Sequence, residues 1–298
     1  MTEPPAWWPH RELSHFETVG SVRWHVQRWP ARESRTNAPQ ALLLHGTGSA
    51  SFSWRRLAPI LAGHFEVFAP DLPGHGFTLT PSSQSLSMPA VSAALAEWMR
   101  ARKVVPDLLI GHSAGAALAI RLALDGAVSP SLIVAVNGAL LPMGGPIGRM
   151  FLPLARLLST NPLVVPAFAA WASGRSAARR LLTSTGSRID AEGERCYAHL
   201  IADRSHVSGA LRLMASWDLA PLQSALHRLT PPLLLLAALG DRTLPPSHAA
   251  RVHALVPRSR LVNLPALGHL AHEEDANAVA CPVMRAWAEA VGPGLGSH

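Results

Sequence analysis

The chain has 298 residues, 48% of them hydrophobic and 15% charged, a balance too apolar for disorder that calls for a packed core. Its two cysteines, Cys196 and Cys281, exclude a disulfide scaffold and a Cys-rich metal cluster. The net charge of +7 comes from 25 Arg against one Lys, Lys103, with no basic run and no nucleic-acid-binding module, so nucleic acid is excluded as a partner.

Ten of those arginines stand against five acids between residues 139 and 228, a local excess that suits an acidic small molecule or an anionic membrane surface. No stretch offers the roughly 20 unbroken apolar residues of a spanning helix. The best candidate, 157–174, carries Pro162 and Pro166. The first residues, MTEPPAWWPHRE, lack the basic and apolar regions of a signal peptide, so a cytoplasmic protein, compatible with peripheral membrane contact, is expected.

Residues 1–14 read as an irregular lead-in, and 16–29 as a hairpin turning at Gly20-Ser21. Residues 41–44 form a buried-strand run, followed at helical spacing by 52–61, a strand at 65–69, a helix over 88–102 and a strand at 108–110. A helix over 114–124 and a strand at 132–136 come next; from about 139 to 228 apolar helical segments are broken by Pro, Gly and Ser. The alternation resumes with a strand at 233–239, a helix at 247–256, a strand at 261–264 and a final helix to about 291. Strands alternating with helices of this length specify a mostly parallel sheet flanked by helices. The expected organisation is an α/β core, 1–138 and 229–298, with a helical insertion at 139–228.

Gly111-His112-Ser113-Ala114-Gly115 fits G-x-S-x-G, directly after a strand and opening a helix. A serine there sits on a sharp turn with its hydroxyl exposed, and the helix N-terminus favours developing negative charge. A hydroxyl nucleophile needs a base, and the base an orienting carboxylate. His269, between the last strand and the last helix, is the expected base. Its rival His272 precedes Glu273-Glu274 and is expected to face outward. Asp241, just after the strand at 233–239, is the expected acid. The order Ser113, Asp241, His269 places each on a loop at a strand's C-terminal end.

His45-Gly46-Thr47-Gly48 ends the first core strand, so the Thr47 and Ala114 amides form the expected oxyanion hole. Trp54 lines the pocket or packs in the core. Asp71 and His75 hold their loop together. His269 and His272 do not form a metal pair, since no H-E-x-x-H or acid cluster supports one. The chemistry requires no metal or organic cofactor.

With H-G-T-G, D-L-P-G-H-G, G-H-S-A-G, G-D-R and L-G-H in this order, the chain resembles the α/β-hydrolase superfamily. That resemblance implies an α/β-hydrolase fold and makes 139–228 a helical lid over the nucleophile. The stretches W-P-H-R-E-L-S-H-F-E (8–17), R-W-H-V-Q-R-W (23–29), N-G-A-L-L-P (137–142), T-G-S-R-I-D (185–190), M-A-S-W-D-L (214–219) and L-G-H-L-A-H-E-E (267–274) are similar to the magnesium-chelatase accessory family of bacteriochlorophyll gene clusters. This likeness implies a role around magnesium insertion into a tetrapyrrole, with the substrate or magnesium chelatase as a partner. In the lid, Met143, Trp171 and Trp217 offer apolar and aromatic lining, and arginines such as Arg149, Arg156, Arg179 and Arg188 offer partners for propionates. Two functions are expected to compete: a serine hydrolase acting on an ester-like bond of a hydrophobic substrate, and a carrier that keeps the hydrolase frame to hold porphyrin.

Overall fold

A computed structural model describes residues 1–32, 38–142 and 175–292. The lead-in packs as an irregular segment, then β1 (Ser14–Val19) and β2 (Val22–Trp29) pair as a hairpin with Val19 opposite Val22. β3 (Gln40–Leu44) follows. The residues expected to be one helix over 52–61 instead form a 3₁₀ turn (Ser51–Trp54) and a one-turn α1 (Ala58–Leu61). Pro59 in the first turn of α1 lacks the N–H needed to continue from the preceding turn, so the helix restarts there.

β4 (Glu66–Pro70), α2 (Met88–Arg102), β5 (Leu108–His112), α3 (Ala114–Leu124) and β6 (Leu132–Val136) then alternate as the periodicity requires. Between β6 and β7 the described chain is helical: α4 (Arg175–Ser184), α5 (Ala191–Ala202), α6 (Arg204–Ala215) and α7 (Ala220–Ala225). β7 (Leu233–Ala238), α8 (Ser247–Leu255), β8 (Ser259–Leu264), the short α9 (Ala271–Glu274) and α10 (Ala276–Val291) complete the order. No described helix is long and apolar enough to cross a membrane.

The eight strands form one sheet in the order β1-β2-β4-β3-β5-β6-β7-β8. β2 is antiparallel to β1 and to β4, and every pairing from β4 to β8 is parallel. This is the α/β-hydrolase architecture. Side chains of the parallel strands alternate between two cores, as a period of two demands. Leu42, Leu44, Leu109, Ile133 and Leu235 join α2 and α3 on one face, while Leu43, Ile110, Val134 and Leu236 join α1 and α10 on the other. Leu213, Trp217, Leu222 and Leu226 belong to the first of these cores, so the end of the helical segment is packed as core.

The helical segment is tied to the sheet by buried charge. Arg55, 3% exposed, donates from Nη1 to Glu273 Oε2 at 2.5 Å and from Nη2 to Asp190 Oδ1 at 2.6 Å, and Asp190 caps α5 by accepting from Gly193 N–H. Tyr197 on α5 donates to the other Glu273 oxygen at 2.7 Å. Burial pushes the Glu273 carboxyl up, and Arg55 and Tyr197 pull against that; burial lowers Arg55 too, but Glu273 and Asp190 more than offset it. Such a pair is costly to break because the survivor keeps its desolvation penalty. Arg55→Ala is therefore expected to destabilise the protein by about 3–5 kcal/mol, and Arg55→Met with Glu273→Gln by much less, measured as shifts in urea unfolding free energy.

Candidate active site

Ser113 occupies the elbow between β5 and α3 with φ +51 and ψ −116, a conformation that costs a non-glycine residue about 1–3 kcal/mol. Its neighbours permit it. A Cβ on Gly115 would lie 2.0 Å from the Leu44 carbonyl oxygen, and one on Gly111 2.4 Å from the Ala116 backbone, so only glycine lets α3 approach β3 and fold back on β5. The Ser113 amide donates to Val136 O at 3.1 Å, and its carbonyl accepts from Ala139 N–H at 3.0 Å, which fixes the elbow against the end of β6. The residue is half-buried.

His269 Nδ1–H donates to Asp241 Oδ2 at 2.7 Å with both side chains nearly closed to solvent. The other Asp241 oxygen accepts from the Thr243 and Leu244 amides at 2.7 and 2.9 Å, which orients the carboxylate. With Nδ1 carrying the proton toward Asp241, the unprotonated nitrogen of neutral His269 is Nε2, the one a base needs. Asp241 and His269 are thus brought together. Among the described residues no hydrogen bond joins Ser113 Oγ to His269. The two residues are linked through His112, whose ring centroid lies 4.7 Å from that of His269 and whose Nε2–H donates to the His269 carbonyl at 2.9 Å.

The 45–48 loop lies against the elbow, since a Cβ on Gly46 would sit 3.0 Å from Ser113 Cβ. Neither the Thr47 nor the Ala114 amide donates to any described acceptor. The turn after α4 reaches the opposite side of the site. Thr185 O accepts from Arg242 N–H at 3.1 Å and His269 N–H at 3.4 Å, and a Cβ on Gly268 would lie 2.4 Å from Gly186 backbone.

His272 does not face outward as its acidic neighbours suggested. It is 0% exposed, packed between Trp54 and His112 at 4.5 Å from each ring, with neither nitrogen hydrogen-bonded. The acids misled because Glu273 is itself buried on Arg55. Trp54 is 0% exposed in the core cluster with α1 and α10. Trp217 is 8% exposed in the cluster on the other face. Met143, Trp171, Arg149 and Arg156 lie outside the described residues. Arg179 pairs with Glu194, which holds its guanidinium above the ordinary value. Asp71 does hold its loop, accepting from Ser51 N–H, Phe77 N–H and His25 Nδ1–H at 2.7–2.8 Å. Among the described residues no group of three or more His, Cys, Asp or Glu side chains is placed to hold a metal ion.

Two further side chains near the loop at 45–48 carried no sequence signal. His206 of α6 accepts from Gly76 N–H on Nδ1 at 3.0 Å, so its Nε2–H donates to Gly48 O at 3.3 Å. Tyr197 hydrogen-bonds Ser49 at 3.1 Å. Each is an isolated residue 130 or more positions from its partner, beyond the reach of any local pattern.

The elbow, the paired loops and the sheet order define a class. A family model described as the alpha/beta hydrolase family matches residues 41–280, and the chain belongs to that family. It is 36% identical over 273 residues to the magnesium-chelatase 30 kDa subunit of Rhodobacter capsulatus, spanning 92% of this chain and 94% of that one. Among solved structures it is similar in fold to an alpha/beta hydrolase fold protein from Burkholderia ambifaria, with TM-score 0.76, 20% identity, and 92% and 97% of the two chains covered. A haloalkane dehalogenase from Bradyrhizobium elkani has TM-score 0.75, 21% identity, and coverage of 93% and 98%.

Five buried histidines around the site are held neutral. Burial is the largest cause for each: it lowers His45, pushes His75 and His112 well down, and brings His206 to about 4 and His272 to about 3 from 6.5. Below pH 6.5 the unfolded chain takes up protons that these native side chains refuse. Their stability contribution is therefore complete above 6.5 and is lost as pH falls toward the folded values. Urea midpoints followed from about pH 8 to about pH 4.5 should fall steeply below neutrality, and His206→Gln should flatten the slope by up to about 1.4 kcal/mol per pH unit.

Proposed function

We propose that this chain is a serine hydrolase-type protein acting on an ester-like bond of a hydrophobic substrate, accessory to magnesium insertion in bacteriochlorophyll synthesis. The observation that carries the chemistry is the 2.7 Å Asp241–His269 hydrogen bond beside a serine held at φ +51. In the proposed reaction Ser113 Oγ attacks the carbonyl carbon while His269 Nε2 takes its proton. The tetrahedral oxyanion accepts from the Thr47 and Ala114 amides. His269 returns the proton to the leaving oxygen, and water then releases the acyl group by the same steps. Asp241 keeps the imidazole in the Nδ1–H tautomer and stabilises it when it becomes charged. The described helices between β6 and β7 serve as part of a lid, with Trp54 behind the site.

The biological setting comes from the Rhodobacter capsulatus relative, whose name makes it a magnesium-chelatase subunit. A tetrapyrrole intermediate is the proposed substrate, and the chelatase, met in the cytoplasm or at the membrane surface, the proposed partner. That name also favours a second reading, in which the frame binds or delivers porphyrin without cleaving it.

A fluorophosphonate probe should add to Ser113, seen as one adduct by intact mass, with labelling lowered by several orders of magnitude in His269→Ala. In a strain lacking the protein, Ser113→Ala should fold normally and fail to restore pigment. Full restoration at native expression would select the carrier reading.

A further inference from the structure

Asn137 is the first residue after β6 and has φ +44, a left-handed conformation that asparagine tolerates better than other side-chain-bearing residues. It is 6% exposed, so its amide group must be satisfied inside the protein. Its Oδ1 accepts from Ala238 N–H at 2.7 Å. Its Nδ2 donates to Gly268 O at 3.0 Å and to His269 O at 2.8 Å. The amide orientation follows from chemistry: a backbone N–H can only donate and carbonyls can only accept.

These contacts place one side chain among three loops. The backbone on either side of Asn137 holds the elbow, since Val136 O accepts from Ser113 N–H and Ala139 N–H donates to Ser113 O. Ala238 ends β7, three residues before Asp241. Gly268 and His269 form the loop that carries the imidazole. His112 adds a second donor to the same His269 carbonyl at 2.9 Å. Nothing else described accepts from Asn137 Nδ2, and without it the Gly268 carbonyl loses its described side-chain donor.

We propose that Asn137 is a positioning residue that holds the loops of Ser113, Asp241 and His269 in register, keeping His269 Nδ1 on Asp241. It touches no substrate and acts through the backbone of the base. Its consequence for turnover rests on the hydrolase reading above, whereas its effect on the Asp241–His269 bond does not.

Two variants separate the contacts. Asn137→Gly removes both without straining a left-handed residue. Asn137→Asp is isosteric, keeps an acceptor for Ala238 N–H, and turns an oxygen toward the Gly268 and His269 carbonyls in place of the donor. The first readout is the far-downfield proton resonance of a His Nδ1–H bonded to a carboxylate, assigned by its loss in His269→Gln. It should be present in the wild-type protein and broaden or move upfield in both variants. The second is hydrolysis of a p-nitrophenyl acyl ester, in which kcat should fall by about ten- to a hundred-fold with KM changed by less than about two-fold.

Folded variants that keep the resonance and kcat would overturn the proposal, as would lowered thermal stability with an unchanged resonance. Absence of the resonance from the wild-type protein would also overturn it. A wild-type protein that shows the resonance but neither hydrolyses the ester nor takes the phosphonate defeats the hydrolase reading alone, and the resonance in the variants still decides the role of Asn137.

Discussion

The site depends on how closely the N-terminus of α3 approaches β3. Gly115 lies so near the Leu44 carbonyl that no Cβ fits between them, and that contact allows the chain to reverse at Ser113 without leaving the sheet. The reversal puts the half-buried Ser113 at the carboxyl end of β5. Everything else at the site is arranged around this fixed point. The end of β6 bonds to the serine's amide and carbonyl, and the loops after β7 and β8 bring the Asp241 carboxylate and the His269 imidazole onto each other.

A second constraint is the amount of polarity buried around that point. Imidazoles at 45, 75, 112, 206 and 272 are enclosed and neutral, and the enclosed Asp71 carboxylate lies near three of them, His45, His75 and His206. Burial opposes its charge, but the His25 hydrogen bond above all, with the Phe77 amide, holds it ionised well below the usual carboxylate range. Arg55 and Glu273 repeat the device at the joint between α5 and the sheet. Buried pairs of this kind add little net stability but tolerate few alternatives, because a partner moved out of register leaves a charge unpaired. The described helical segment is therefore seated on the core through directional contacts, including the Thr185 carbonyl against the loops of both Asp241 and His269.

Similarity over nearly the whole chain to a magnesium-chelatase subunit and membership of a hydrolase family bear on different questions. The first is a likeness to one particular protein, the second concerns the chemistry such a frame can support. The frame alone does not choose a reaction. Here the groups that a reaction would draw on are a hydrogen-bonded Asp–His pair and a serine held at positive φ.

Much of this was legible from local pattern. Helices α2 and α3 and strand β6 fall on the residues that periodicity assigned, because a buried parallel strand or an amphipathic helix is encoded within a dozen neighbouring positions. The glycines around Ser113 and the loop placement of Asp241 and His269 were readable for the same reason, each being tied to the end of a recognisable strand. The burial of His272, the pairing of Arg55 with Glu273 across 218 residues, the reach of His206 to Gly48 and the three-loop role of Asn137 were not. A polar residue's identity does not say whether water or a distant partner will satisfy it. Two acids after a histidine look solvent-exposed until an arginine from another loop lies against the first of them. The sequence by itself determined the strands, the elbow and the order of the site residues, since these follow from short-range sterics and periodicity. Only the tertiary structure decided which buried polar groups meet, because that depends on the packing of segments that are remote along the chain.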